Sequence, residues 1–113
     1  MDKKITIYAD NTMKAFRILT VLTEELYKYN KTGKEPGARY HSAEGAIKDL
    51  IGRNGLKLIN AISDYTYEHA HGHEGFKPDQ KWYKDTTKRI LKEQNVTFKP
   101  NSHFHVPDIG IAA

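Results

Sequence analysis

The chain has 113 residues, of which 38% are hydrophobic and 11% aromatic, enough for one domain with its own core and too few for two. It contains no cysteine, which excludes disulfide scaffolds, thiolate metal sites and cysteine nucleophiles. Its formal net charge of +4 is carried by residues 77–99, where seven basic residues stand against three acidic ones. Attraction to an anionic partner should therefore come from this segment.

The beginning of the chain and its hydropathy predict an intracellular protein. The charged residues before Ile5 are not followed by the apolar stretch of a secretory signal. No apolar run approaches the roughly 20 residues that a membrane-spanning helix needs. We therefore expect a cytoplasmic protein that has no membrane partner.

The first predicted elements are a strand and a long helix. Residues 4–9 alternate, with Ile5, Ile7 and Ala9 on one face, as in a half-buried strand. From Met13 to about Asn30, hydrophobic residues at helical spacing predict the central helix of the core. Its apolar circumference is broader than one narrow interface needs, which leaves a homo-oligomer as an open alternative.

The middle of the chain predicts a loop and a helical hairpin. Glycine and proline place the loop over residues 31–41, and Ser42 is a candidate cap for the second helix. Residues 53–55 should end that helix, and a third helix should follow at once and stop at Gly72. The same outline fits a helix-turn-helix, but its second helix lacks an arginine for guanine contacts.

The last third of the chain predicts a fourth helix and a short strand. Pro78 suits the first turn of a helix that runs to about Asn95. Residues 96–98 and 103–106 alternate, and one of these segments should pair with the N-terminal strand. The expected fold is α+β, about four helices with a small antiparallel sheet from the N-terminal and C-terminal strands. We expect one domain, 1–113, with 107–113 as a loose tail.

A row of lysines on the fourth helix is the first candidate site. These lysines recur every three or four residues and so share one side of the helix. Such a row beside aromatic residues is typical of proteins that neutralise phosphates, although most charge runs are solvated helix faces. The candidate ligand-binding residues are Lys81, Lys84, Lys88, Arg89 and Lys92.

The histidines form the second candidate site, because five of the six fall in two clusters. In a strand, His103 and His105 would share one face while Phe104 and Val106 point into the core. If the glycine-rich loop after the third helix approached that strand, the imidazoles would suit zinc or a similar divalent ion. The candidate metal ligands are His69, His71, His73, His103 and His105.

Two other interpretations of the histidines stay open. Without a metal, two imidazoles can serve as general acid and base on a phosphodiester, which would require His41 or His103 near His71 and Lys77. Alternatively, His69 closes the apolar side of the third helix and its neighbours are exposed to solvent.

The absence of any standard catalytic motif favours a small non-enzymatic binding protein. Its basic C-terminal helix is expected to contact an anionic partner, which is a nucleic acid, a nucleotide or an acidic protein surface. No cofactor is expected for this function. The alternatives are a histidine-based metal-dependent hydrolase or nuclease, and an inhibitor that blocks the surface of another protein.

Overall fold

Among the residues that the structure describes, four helices and two short strands form the fold, and the prediction of a mostly helical α+β protein is confirmed. The structure, a computed structural model, describes residues 4–72 and 75–109. No helix in these two ranges is both long and apolar enough to cross a membrane. The elements in chain order are β1 (Ile5–Ala9), α1 (Thr12–Thr32), α2 (Ala38–Ile51), α3 (Arg53–Gly72), α4 (Gln80–Glu93) and β2 (Val96–Pro100).

The two strands pair in parallel, so the prediction of an antiparallel sheet is wrong. Ile5 lies opposite Val96, and Ala9 lies opposite Pro100. Parallel strands require a long crossover connection, and here all four helices lie between the strands. β2 starts directly after α4, through a turn in which Asn95 has a φ of 58°. Because of the direction in which the chain leaves α4, β2 has the same direction as β1.

Residues 103–106 do not form the second strand that their alternation predicts. Pro100 ends the ladder, and the backbone N–H of Phe104 donates to the carbonyl oxygen of Asn101 at 3.2 Å, which turns the chain back toward β1. The backbone N–H of Asp10 then donates to the carbonyl oxygen of Phe104 at 2.8 Å. Val106 is fully buried, but Phe104 is 40% exposed and stacks on Tyr8, so the prediction that it points into the core is wrong.

α1 is the centre of the core, as its hydrophobic spacing predicts. Asn11 caps its first turn by accepting a hydrogen bond from the backbone N–H of Lys14 at 3.0 Å. Gly33, with a φ of 74°, ends it in the left-handed conformation. Its fully buried side chains pack against the other helices and the sheet, and each isoleucine or leucine among them contributes about 1.5–3 kcal/mol by burial. The largest of these α1 side chains are Ile18, Leu19, Leu22 and Thr23.

α2 and α3 form the predicted hairpin with different ends. α2 begins at Ala38, so Ser42 lies inside the helix rather than at its cap; burial of Tyr40 against the core holds the extra turn. Gly52, with a φ of 58°, alone separates the two helices. Gly55 permits their close approach, because an added Cβ would lie 3.3 Å from the carbonyl oxygen of Ile47. At α4, Asp79 is the cap, so Pro78 precedes the helix instead of opening its first turn.

Candidate anion-binding groove

α1 and α4 run antiparallel and meet closely along only part of their length. The hydroxyl oxygens of Thr23 and Thr87 are 2.8 Å apart in the buried interface. Further along, the rings of Tyr27 and Tyr83 are 6.2 Å apart, centroid to centroid. Toward the first residues of α1, side chains no longer fill the space between the helices, and a groove of about 860 Å³ opens there.

The floor of this groove is apolar. It is built by Phe16 and Val21 from α1, by Leu91 from α4, and by Val96 and Phe98 from β2. The α1 residues belong to a second apolar side of that helix, the feature that makes its hydrophobic circumference broad. The structure places this side along an open groove.

Cationic side chains line both edges of the groove. Lys84, Lys88 and Lys92 follow each other at four-residue intervals along α4, which places their backbones about 6 Å apart along the helix axis. Arg17 of α1 lies on the other edge. Among the described residues, no carboxylate is within ion-pair distance of any of these four side chains. Their charges are therefore available to an anion.

Glu24 closes the end of the groove nearest the Thr23–Thr87 contact. Its carboxylate accepts hydrogen bonds from Lys28 Nζ at 2.8 Å and from Gln80 Nε2 at 3.0 Å, and it lies 3.5 Å from a guanidinium nitrogen of Arg39. Burial opposes ionisation of Glu24, but the hydrogen bonds from Lys28 and Gln80 and the charges of Lys28 and Arg39 outweigh it and lower its pKa. The carboxylate is ionised and already paired, so it does not cancel the charge of the α4 lysines.

Three of the five predicted ligand-binding residues line the groove, and two do not. Lys81 is exposed beside it, and Arg89 lies elsewhere on α4, 3.7 Å from the carboxylate of Glu93. Arg17 and Arg39 also line the groove and are absent from the predicted set. Of these two, only Arg17 could be placed from local sequence, because it follows Met13 by four residues and so lies on the same side of α1.

The described histidines of the C-terminal part of α3 contact neighbouring aromatic residues. The imidazole of His69 stacks on Tyr65 at 4.5 Å, and its Nδ1 is 3.1 Å from the carbonyl oxygen of Tyr65. His71 lies 4.3 Å from the ring of Tyr67, centroid to centroid. His73, the third predicted ligand of this cluster, lies outside the described residues.

The other two predicted metal ligands lie at the opposite end of α1. His105 Nδ1 is 2.9 Å from a carboxylate oxygen of Asp10, immediately before α1, and His103 is exposed in the adjoining turn. The α3 histidines flank Ala70, whose carbonyl oxygen accepts a hydrogen bond from Lys31 in the last turn of α1. A helix of 21 residues is about 30 Å long. Within residues 4–72 and 75–109, no three potential ligands lie close enough to share a metal ion.

A shallower hollow on the outer side of α3 holds the residues that a helix-turn-helix would turn toward bases. Lys57 and Asn60 line it together with the carboxylates of Asp64 and Glu68. Two carboxylates beside one lysine repel a phosphate backbone, so this hollow suits a nucleic acid less well than the groove does.

The groove between α1 and α4 thus combines an apolar floor with four cations, on Arg17, Lys84, Lys88 and Lys92, that have no carboxylate partner among the described residues. Its closed end is held by a paired carboxylate, and its other end is open at Met13, which is 67% exposed. Comparison with protein-family models, with curated proteins and with solved structures finds no significant match to this chain.

Proposed function

We propose that this is a non-enzymatic binding protein that holds an anionic partner in the groove between α1 and α4. The observation that carries the proposal is the row of Lys84, Lys88 and Lys92 along an apolar groove, without a carboxylate partner among the described residues. Lysines that only solvate a helix face have no need of a groove beside them. Here the row and the apolar surface adjoin, so one ligand would engage both.

The magnitudes of the two interactions explain why both are needed. A single exposed ion pair contributes about 0–1 kcal/mol, so no one lysine should determine affinity. Apolar surface removed from water contributes about 25 cal/mol per Å², and a covered floor also lowers the local dielectric constant around the lysines, which strengthens their attraction to an anion. A partner should therefore be anionic on its flanks and apolar where it meets the floor.

Charge reversal of the lysine row tests the proposal. The test variant carries Lys84→Glu, Lys88→Glu and Lys92→Glu. The control variant carries Lys34→Glu, Lys57→Glu and Lys99→Glu, which changes the net charge equally at exposed positions outside the groove. Fluorescence anisotropy at low salt would measure binding of two labelled polyanions, oligothymidylate and poly-L-glutamate.

We expect the test variant to lose binding to the polyanions while the control variant keeps most of it. Both variants should give the circular dichroism spectrum of the wild type, because all six lysines are exposed. An equal loss of affinity in both variants would show that net charge alone attracts anions, and an unchanged affinity in the test variant would show that the groove binds none. Either result overturns the proposal.

The histidine-based hydrolase or nuclease is less well supported. Its two described pairs of histidines are separated by the length of α1, and His105 is held by Asp10, which also fixes the chain at Val106. A structural role accounts for that contact.

A further inference from the structure

The side chains on the groove floor favour an apolar surface over nucleobases. Val21, Leu91 and Val96 are aliphatic and buried, and Phe16 and Phe98 are half-buried and packed against the core. Proteins that bind single-stranded nucleic acids place exposed aromatic rings in a basic groove, where the bases stack. No tyrosine or tryptophan is among the described lining residues. The two aromatic rings of the floor are packed against the core and only partly exposed, so the floor is mostly aliphatic and suits aliphatic side chains better than stacked bases.

The lysine row has the repeat of a helix. From Lys84 to Lys92 it covers two turns, about 12 Å along the axis of α4. Acidic residues at every third or fourth position of a second helix recur at the same interval. A helix that lies parallel or antiparallel to α4 would therefore bring one carboxylate to each lysine, with Arg17 on the opposite edge of the groove.

We infer that the partner is an acidic amphipathic helix of another protein, which lies in the groove with its apolar side on the floor. Helices commonly bind in grooves in this way, with anchors at positions i, i+3, i+4 and i+7. About two turns of helix match the extent of the lysine row. Glutamate or aspartate on both flanks of the partner would face Lys84, Lys88 and Lys92 on one edge and Arg17 on the other. This inference rests on the proposed function and specifies its ligand.

Two designed peptides of identical composition test it. Both contain leucine, glutamate, alanine and a fluorescent label; in one, leucine occupies one side of the helix and glutamate flanks it, and in the other the order is permuted so that the residues mix around the helix. Oligothymidylate is the third probe. The wild type is compared with Met13→Glu, at the open end of the groove, and with Leu56→Glu, a matched substitution at an exposed apolar residue outside the groove.

We expect the amphipathic peptide to bind about tenfold more tightly than the permuted peptide, a ratio that anisotropy titrations resolve easily. Met13→Glu should weaken the amphipathic peptide several-fold, because it replaces an apolar contact by a repelling charge, and Leu56→Glu should not. Both substitutions are at exposed positions, so folding should be retained.

Other results separate the inference from the proposed function. Equal affinities for the two peptides, or tighter binding of oligothymidylate than of the amphipathic peptide, would overturn the helical partner while the groove still binds anions. If reversal of the lysine row changes the binding of no probe, the proposed function itself fails.

Discussion

The contact between α1 and α4 has two halves with opposite properties. In the closed half, Thr23 and Thr87 bond to each other, and Tyr27 and Tyr83 are buried beside them. Burial, together with nearby carboxylates, raises the pKa of Tyr83 to about 12, which keeps its hydroxyl neutral. In the open half, apolar side chains and four cations without a carboxylate partner among the described residues line the groove between the same two helices. One helix pair thus supplies both core and surface.

The open half is a surface in its own right, and its apolar floor is not an incompletely packed part of the core. Thr20 and Val21 are buried at its floor, so these floor residues are already packed within the chain. Val96 and Phe98 of β2 form the rest of this surface. What is missing is a layer above this floor. A row of four-residue-spaced lysines is a suitable edge for an incoming acidic ligand, because the stems border the apolar floor while the ammonium groups stay in water.

Truncation of side chains in the two halves should give the largest contrast. Tyr83→Ala removes a side chain that is 5% exposed in the closed half, and we expect it to lower the free energy of unfolding by about 3 kcal/mol. Met13→Ala, at the open end of the groove, should change it by less than about 0.5 kcal/mol. Urea denaturation with matched m-values would measure both. Similar losses in the two variants would show that the open half is as much a part of the core as the closed half.

The sequence predicts the helices well because each carries its own periodic pattern. The relative direction of the two strands cannot be predicted in this way. It depends on the position and direction in which the chain leaves α4, and the sequence of residues 96–100 does not encode either. The failure at residues 103–106 has a similar cause. Alternation predicts a strand, but in place of a ladder with β1 the segment forms the backbone hydrogen bond from Asp10, which follows β1, to Phe104, and the chain turns.

The candidate site was half predictable for the same reason. Lys84, Lys88 and Lys92 belong to one helix, and their spacing alone places them together. The floor and the opposite edge come from α1 and β2, which lie far away along the chain, so Arg17 and Phe98 could not be joined to the lysines. The broad apolar circumference of α1 indicated an unfilled surface, although the sequence could not say what lines it.

Substitution of Asp10 tests whether the open half depends on the contacts that hold the N-terminal end of α1. Its carboxylate accepts hydrogen bonds from the backbone N–H of Val106 at 3.0 Å and from His105 at 2.9 Å, and these bonds lower its pKa. Because the folded pKa lies below the unfolded one, the carboxylate stabilises the fold above the ordinary Asp range, and this contribution is lost as the pH falls through the folded pKa. Asp10→Asn should therefore lower the melting temperature at neutral pH and match the wild type in acid.

The control for this prediction is Asp85→Asn, at an exposed position on α4 for which the described residues offer no hydrogen-bond or ion-pair partner. It should leave the melting temperature almost unchanged at every pH. Polyanion binding by Asp10→Asn should equal that of the wild type, since the carboxylate does not line the groove. Weaker binding would mean that the groove needs the C-terminal segment to stay in place.

Neutralisation of Glu24 should change the measured property least among these predictions, by altering the affinity for anions. It should also show at which end of the groove the ligand lies. Glu24 is the only carboxylate among the described residues that line the groove, and its lowered pKa keeps it ionised at neutral pH. At about 10 Å in water a unit charge contributes about 0.4 kcal/mol, so Glu24→Gln should tighten anion binding by about twofold. The matched control is Glu25→Gln, which also removes an ion pair of Arg39, at 3.1 Å, but from outside the groove.

The two glutamates separate a local effect from a general one. Both substitutions raise the net charge by one and each removes one of the two ion pairs of Arg39, so tighter binding in Glu24→Gln alone would place the ligand against the closed end of the groove. Equal tightening in the two variants would assign the effect to the weakened pairing of Arg39 or to net charge. If neither variant differs from the wild type in low-salt titrations, the ligand occupies only the open end, where Met13, Arg17 and Lys92 lie. The ligand site then does not extend as far as the closed half.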